Sequence, residues 1–307
     1  MADPIRVRVD GKVLELSNLD KVLYPETGFT KAEVIDYYTR IADVLLPHIA
    51  ERPLTRKRWP DGVDGQPFFE KNAPRGTPGW VRTVRLPTPG SSSGRDEADF
   101  VVANRPATLV WLANLAALEL HVPQWKVGPR GGVRGPDLVV IDLDPGPPAD
   151  LVDCCRVALW LRDRLREDDL DAWPKTSGSK GMQLYVPIAE STGDRTTAYA
   201  KALATELASA HPDTVVARMT KSIRGGKVFL DWSQNNPAKT TIAPYSLRGR
   251  ERPTVSTPVT WDEVAGCRRA ADLSFQPADV LARIERDGDL LAPLLELRQR
   301  LPRTRAE

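Results

Sequence analysis

Two aspartates separated by one residue, Asp142 and Asp144, close the run DLVVIDLD at 137–144. The run is short, apolar and rich in β-branched residues, which predicts a buried strand. Side chains at i and i+2 of a strand share a face, so the two carboxylates converge on one spot. Like charges that close are costly unless a cation lies between them. An all-oxygen ligand set with open positions suits magnesium or manganese, which keep waters and recruit phosphate oxygens. A solvated strand end would show the same pair, so the spacing leaves both readings open. A third acid, Asp231, closes the strand-like KVFLDW at 227–232. If the two strands are neighbours, three carboxylates could hold two ions, one lowering the pKa of an attacking hydroxyl and one stabilising a leaving phosphate. Asp231 could equally cap a turn with Ser233.

Candidate phosphate ligands surround these acids. The segment KTSGSKG, Lys175 to Gly181, is a glycine- and serine-rich loop ahead of a strand. A Walker loop must precede a helix, so this is not an ordinary P-loop. Its N–H groups could still form an anion nest, with Lys180 as a point charge. Lys221, Arg224, Lys227 and Arg248 add charge around Asp231, and Gln234 adds an amide. From Lys201 to Arg252 there are nine Lys or Arg against four Asp or Glu, a local excess that the net charge of +2 hides. A solvated basic face and a phosphate track both fit that excess.

The elements that must position these groups are legible in outline. IRVRVDGKVLEL alternates about Asp10-Gly11, a hairpin signal. Thr30 and Glu33 form a capping box ahead of Val34, Ile35, Tyr38, Ile41, Ala42, Leu45, Leu46 and Ile49, one helical face ending near Pro53. Residues 51–100 are loop-rich and include PGSSSGRDE; 106–120 read as a buried helix, and 128–136 as a turn or mobile loop. In the second half a helix over 148–168, a strand over 181–188 and a helix marked by Tyr199, Leu203 and Leu207 follow the first strand. Strands over 214–220 and 227–232 come next, joined by a tight Gly225-Gly226 turn, and the last thirty residues read as helical with a basic end, RTRAE. This order predicts an α/β (α+β) fold, a mixed sheet covered by helices.

Composition bounds the rest. With 307 residues, 41% hydrophobic and 27% charged, the chain can bury a large core. No apolar run is long enough to span a membrane, and the first residues lack the apolar centre of a signal peptide. Three cysteines, with Cys154 and Cys155 adjacent, match neither a disulfide framework nor a zinc spacing. A cytoplasmic protein is expected.

At this point the longer motifs can be taken together. LDKVLYPETGFTK, VVIDLDPG, KTSGSKGMQLYVP and VFLDWSQNNPAKTTIAPYSLRGR resemble the polymerase domain of bacterial ligase D, a branch of the archaeo-eukaryotic primase superfamily that serves non-homologous end joining. The likeness runs over about 290 residues. It implies a single primase-polymerase domain over 1–307, with a primase-like fold and an RRM-like catalytic module at 131–307 that carries a helical tail. Residues 1–130 would form an N-terminal module for the 5′-phosphate and the bases. No ligase or phosphoesterase segment stands in these residues, so a stand-alone form and an excised domain are both expected possibilities.

The resemblance also implies roles. Asp142, Asp144 and Asp231 would bind two divalent ions, manganese or magnesium; Ser177, Lys180, Arg224, Gln234, Arg248 and Lys57 would bind the triphosphate. His121 in ELHVPQW would lie beside the incoming nucleotide, and Phe68 and Phe69 would support template and nucleotide bases. By composition alone, adjacent phenylalanines belong in a core; a stacking platform needs them exposed. Lys21 and Lys31 would hold the 5′-phosphate at a DNA gap or break, Lys31 at a helix start whose donors and dipole favour an anion. Implied partners are DNA ends, nucleoside triphosphates (ribonucleotides preferred), the end-joining protein Ku and a DNA ligase, with a nucleoid-associated location. One departure stands out: where the family usually has a histidine two residues after the SGSKG glycine, this chain has Gln183. Glutamine can donate a hydrogen bond but cannot become cationic, so weaker nucleotide binding or an altered metal preference is expected. Two other classes compete. A haloacid dehalogenase-type phosphatase also uses a DxD strand, and a non-catalytic DNA-end binding module would need only the lysines and the basic stretch.

Overall fold

Asp10 and Gly11, at φ 48° and 70°, turn the chain between β1 (Ile5–Val9) and β2 (Lys12–Leu16), as the alternating pattern predicts. They open a computed structural model that describes residues 4–88 and 96–302; most of PGSSSGRDE and the RTRAE end lie outside the described residues. A short pair, β3 (Val22–Tyr24) and β4 (Phe29–Thr30), leads into α1 (Lys31–Arg40) and α2 (Ala42–Ile49). The capping box is present: Thr30 Oγ1 accepts from Glu33 N, and the Glu33 carboxylate accepts from Thr30 N. The one expected helix is divided at Ile41, whose ψ of −5° leaves the helical range and tightens the next turn to a Val44 N to Ile41 O bond.

Next come β5 (Pro53–Arg58), β6 (Phe68–Glu70), β7 (Thr83–Pro87), β8 (Glu97–Val102), α3 (Pro106–Asn114) and β9 (Ala117–Val122). The helix expected through residue 120 thus ends at Asn114. Ala116, at φ 55°, reverses the chain, and ALELHV pairs with β5 instead. Strand pairing outweighs the helix propensity of Ala, Leu and Glu here. Of the 128–136 segment, residues 128–132 make the expected turn, and the rest pairs as β11 (Val133–Pro136) with β10 (Trp125–Val127) in a hairpin.

The second sheet is built from β12 (Leu138–Pro145), β13 (Trp173–Thr176), β14 (Met182–Pro187), β15 (Val215–Val216) and β16 (Val228–Asp231), in the order β13-β14-β12-β16-β15. The helices α4 (Leu151–Glu167) and α5 (Gly193–Ala210) cover one face, burying Val139, Ile141, Leu143, Met182, Leu184, Val228 and Leu230. Strand alternation therefore turns Asp142, Asp144, Gln183 and Asp231 to the opposite face. The expected Gly225-Gly226 hairpin does not form: β15 runs parallel to β16, and Gly226 N donates to Gly146 O and Pro147 O.

After β16 the chain returns to the first half. β17 (Thr241–Ile242) pairs with β9, giving the sheet order β17-β9-β5-β8-β7 with β6 on β5. Tyr245, Leu247 and Val255 enter the core beneath that sheet, and α6 (Trp261–Gly266), α7 (Pro277–Asp287) and α8 (Pro293–Glu296) close the described chain. Long-range bonds fasten the return: Tyr37 OH donates to Tyr245 O and Tyr24 OH to Arg248 O, both at 2.8 Å. Among the described residues no helix is long and apolar enough to cross a membrane.

One side chain completes the strand that carries the acids. Asn235 lies just past β16, and its carboxamide accepts from Val140 N at 2.9 Å and donates to Val140 O at 2.7 Å, replacing the strand residue that β16 lacks. Asn235→Ala leaves both buried backbone groups unpaired and should cost on the order of 3 kcal/mol, read as a lower denaturant midpoint at unchanged slope.

Candidate active site

Register brings the acids together. Asp142 and Asp231 stand directly opposite one another on β12 and β16, with Asp144 two residues along on the same face. One carboxylate oxygen from each lies within 4.8 Å of the others. Burial, then the Asp144 charge, pushes Asp142 up to about 8 against the opposing hydrogen bond from Gln183. Burial and Asp231 raise Asp144 as well, while Arg224 and Arg248 pull it down. Three carboxylates gathered at the mouth of a cleft, two of them pushed up by burial and by their neighbours, fit a divalent cation. Asp231 fulfils both readings of its position: Oδ1 accepts from Ser233 N at 3.1 Å, Oδ2 accepts from Gln234 Nε2 at 3.0 Å, and the residue still joins the cluster.

A cleft of about 330 Å³ opens beside the acids. Of the residues singled out by sequence, His121, Ser177, Lys180, Gln183, Gln234 and Arg248 line it with Asp142 and Asp144. The KTSGSKG turn is tightly made. Gly178, at φ 68°, has no room for a Cβ against the Val255 and Ser256 backbone, and a Cβ on Gly181 would meet Leu143 O at 2.1 Å. Ser177 Oγ accepts from Ser179 N and Gly181 N at 3.2 Å each, so two donors of the expected nest are already used; Lys180 remains exposed.

Glu119, two residues before His121 on β9, organises the other wall. It accepts from His121 Nε2 at 2.9 Å and Gly249 N at 3.1 Å and lies 3.3 Å from Arg248 Nε. Burial alone would raise Glu119, but these partners outweigh it and hold the carboxyl at about 2. Burial lowers His121, so the carboxylate takes its hydrogen bond from an imidazole that tends to neutrality. Lys57 stands opposite both Glu119 and Phe69, and the Phe69 ring centroid is 6.2 Å from His121. Phe68 and Phe69 are 52% and 60% exposed, against the core placement usual for such a pair.

Three predicted residues lie elsewhere. Arg224 is outside the cleft lining: its guanidinium stacks on Phe229 at 3.5 Å and donates to Met219 O at 2.6 Å, and only its charge reaches Asp144. Lys21 pairs with Asp61 at 3.0 Å, and Lys31, only 6% exposed, donates to Ser17 O at 2.6 Å. Burial, then the charges of Lys21 and Arg58, lowers Lys31 to about 8. The first-turn donors expected to favour an anion are occupied, since Lys31 N donates to Lys21 O, Ala32 N to Leu19 O and Glu33 N to Thr30 Oγ1. Sequence reasoning also passed over Glu119, Arg250 and the buried Lys175. The i, i+2 spacing of Glu119 to His121 and Arg248 to Arg250 was a usable signal; nothing local marked Lys175 as buried.

An acid cluster beside a cationic, glycine-bounded cleft on a mixed α/β fold has the make-up of a metal-dependent nucleotidyltransferase site. The family model for the LigD primase-polymerase domain matches residues 30–291. This chain is 49% identical over 283 residues to the multifunctional non-homologous end joining protein LigD of Mycolicibacterium smegmatis, covering 92% of this chain and 36% of that protein. The bifunctional LigD of Bacillus subtilis is 33% identical over 277 residues, 90% of this chain and 43% of that one. The chain thus spans well under half of either relative. The solved polymerase domain from Mycobacterium tuberculosis ligase D in complex with DNA superposes with a TM-score of 0.85 at 44% identity, covering 92% of this chain and 98% of that one. The chain belongs to the LigD primase-polymerase domain family, whose members are DNA nucleotidyltransferases. The haloacid dehalogenase alternative falls with that assignment.

Asp142→Ala and Asp144→Ala should each abolish nucleotide addition while leaving DNA affinity unchanged. Primer extension alongside gel-shift titration checks this, and retained addition would refute the acid-cluster assignment.

Proposed function

We propose that this domain adds nucleotides, ribonucleotides by preference, to the 3′ end of a primer strand at a DNA gap or double-strand break that carries a 5′-phosphate. The observation that carries this reading is the in-register acid pair with Asp144, set beside the Lys180–Arg248 cleft. Asp142, Asp144 and Asp231 would hold two divalent ions, manganese favoured. When bound there, such ions supply the charge that activates a 3′-hydroxyl and neutralises the departing pyrophosphate. Lys180 and Arg248 balance triphosphate charge, with Gln234 as a neutral donor also tied to Asp231. His121 and the exposed Phe69 form an apolar and hydrogen-bonding edge for the nucleoside. Lys21 and Lys31 serve the 5′-phosphate through their side chains. A DNA-bound relative and relatives named for end joining support that substrate.

The deciding experiment is extension of a gapped, 5′-phosphorylated duplex with labelled ribo- and deoxyribonucleotides in manganese. Addition is expected, stronger with ribonucleotides and with the phosphate present; binding without addition would instead favour a non-catalytic DNA-end module. A pH test follows from Lys31. In the free protein its ammonium loses its proton near 8, below the ordinary lysine value of 10.5, so phosphate-dependent affinity should decline as pH rises past about 8. Titrating phosphorylated and unphosphorylated gaps between pH 7 and 9.5 should show that decline in the native protein and its absence in Lys31→Met.

A further inference from the structure

Four polar side chains cross the second sheet in one row. Lys175 on β13 stands opposite Gln183 on β14, Gln183 opposite Asp142 on β12, and Asp142 opposite Asp231 on β16. Lys175 is completely buried, and its Nζ donates to Gln183 Oε1 and to Ser256 Oγ, both at 2.5 Å. Gln183 Nε2 in turn donates to Asp142 Oδ1 at 2.9 Å. Among the described residues Lys175 has no ion-pair partner within salt-bridge distance, and burying a lysine in that way is costly. Lys175 shares the face of the acids, its Nζ 5.3 Å from the Tyr185 ring centroid, but it is not among the residues that line the cleft.

We propose that Lys175 and Gln183 are positioning residues that set the Asp142 carboxylate for cation binding. A carboxylate only accepts, so the Gln183 amide must turn its N–H₂ towards Asp142, and its oxygen then points at the lysine. Lys175 is itself fixed by Ser256, whose Oγ donates to Thr176 O at 2.9 Å. The chain of bonds therefore runs from backbone to ligand without a free rotor. With Oδ1 tied into the row, rotation of the Asp142 carboxylate is arrested, and its remaining oxygen is left for the cluster. This rests on the metal-dependent reading above and deepens it.

The test measures manganese binding to the purified domain, without DNA or nucleotide, by the electron paramagnetic resonance signal of the free ion. Gln183→Met and Lys175→Met should each weaken binding by roughly tenfold or more, the range found when outer partners of metal ligands are removed. The double variant should lose no more than the worse single one, because the two act as one unit. Gln183→His should stay within about threefold of the native protein, since a neutral imidazole also offers one donor and one acceptor. In primer extension by Lys175→Met, at a residue that does not line the cleft, kcat should fall with metal affinity while KM for nucleotide moves little. Circular dichroism confirms folding, and if Lys175→Met does not fold, the two Gln183 variants decide. Native-like manganese affinity in folded Gln183→Met, or losses that multiply in the double variant, would overturn the proposal. Absence of manganese binding by the native protein would instead overturn the metal-dependent reading itself.

Discussion

Mutual repulsion among three carboxylates is the constraint around which this domain is arranged. Asp142 and Asp231 face each other across a strand pair, and Asp144 adds a third negative group within 4.8 Å. Asp142 is buried, Asp231 half-buried and Asp144 exposed, and like charges this close are costly without compensation. The protein supplies part of it locally: an amide from Gln183 on Asp142, an amide from Gln234 and a backbone N–H from Ser233 on Asp231, and the charge of Arg224 and Arg248 near Asp144. What these groups leave unmet is what a divalent cation would meet. The acids are held rigidly because their sheet is backed by α4 and α5 and because Asn235 extends its hydrogen bonding past the end of β16.

The opposite wall of the cleft follows another logic. Glu119 is a buried anion that accepts from His121 and Gly249 with the Arg248 guanidinium beside it, and it aligns His121 and Arg248 toward the same space. Gly249 lies flush on Trp59, where a Cβ would come within 2.2 Å of the ring, so the Arg248 segment is pressed against the first sheet. One wall therefore gathers negative charge and the other directs positive charge. The proposed metal-bound triphosphate, with both signs along its length, would meet that separation.

How much of this was legible beforehand depends on the range of the interaction. Asp142 and Asp144 followed from strand periodicity, and the Thr30–Glu33 box from local capping chemistry. The meeting with Asp231 did not, because it depends on a register set by strands far apart in the chain. Residues 117–120 favour a helix locally and became part of β9 because β5 offered a partner. The exposure of Phe68 and Phe69, the burial of Lys31 and Lys175, and the stacking of Arg224 on Phe229 are likewise tertiary outcomes. Lys57 and His121 came into view only through family likeness; the geometry then placed both beside Glu119.

The return of the chain after residue 240 bears on how the domain can be assembled. The core of the first half is completed by Tyr245, Leu247 and Val255, and Tyr24 and Tyr37 close hydrogen bonds to segments more than two hundred residues later. Contacts of such sequence separation can form only once the later segment is present, and they slow folding. During synthesis, then, the first sheet must wait with an unfinished core until the last third of the chain has emerged. The same strand return that completes it brings Arg248 to the cleft. Completion of the first core and of the cleft wall are thus reached in a single step, and a chain interrupted before that step would have neither.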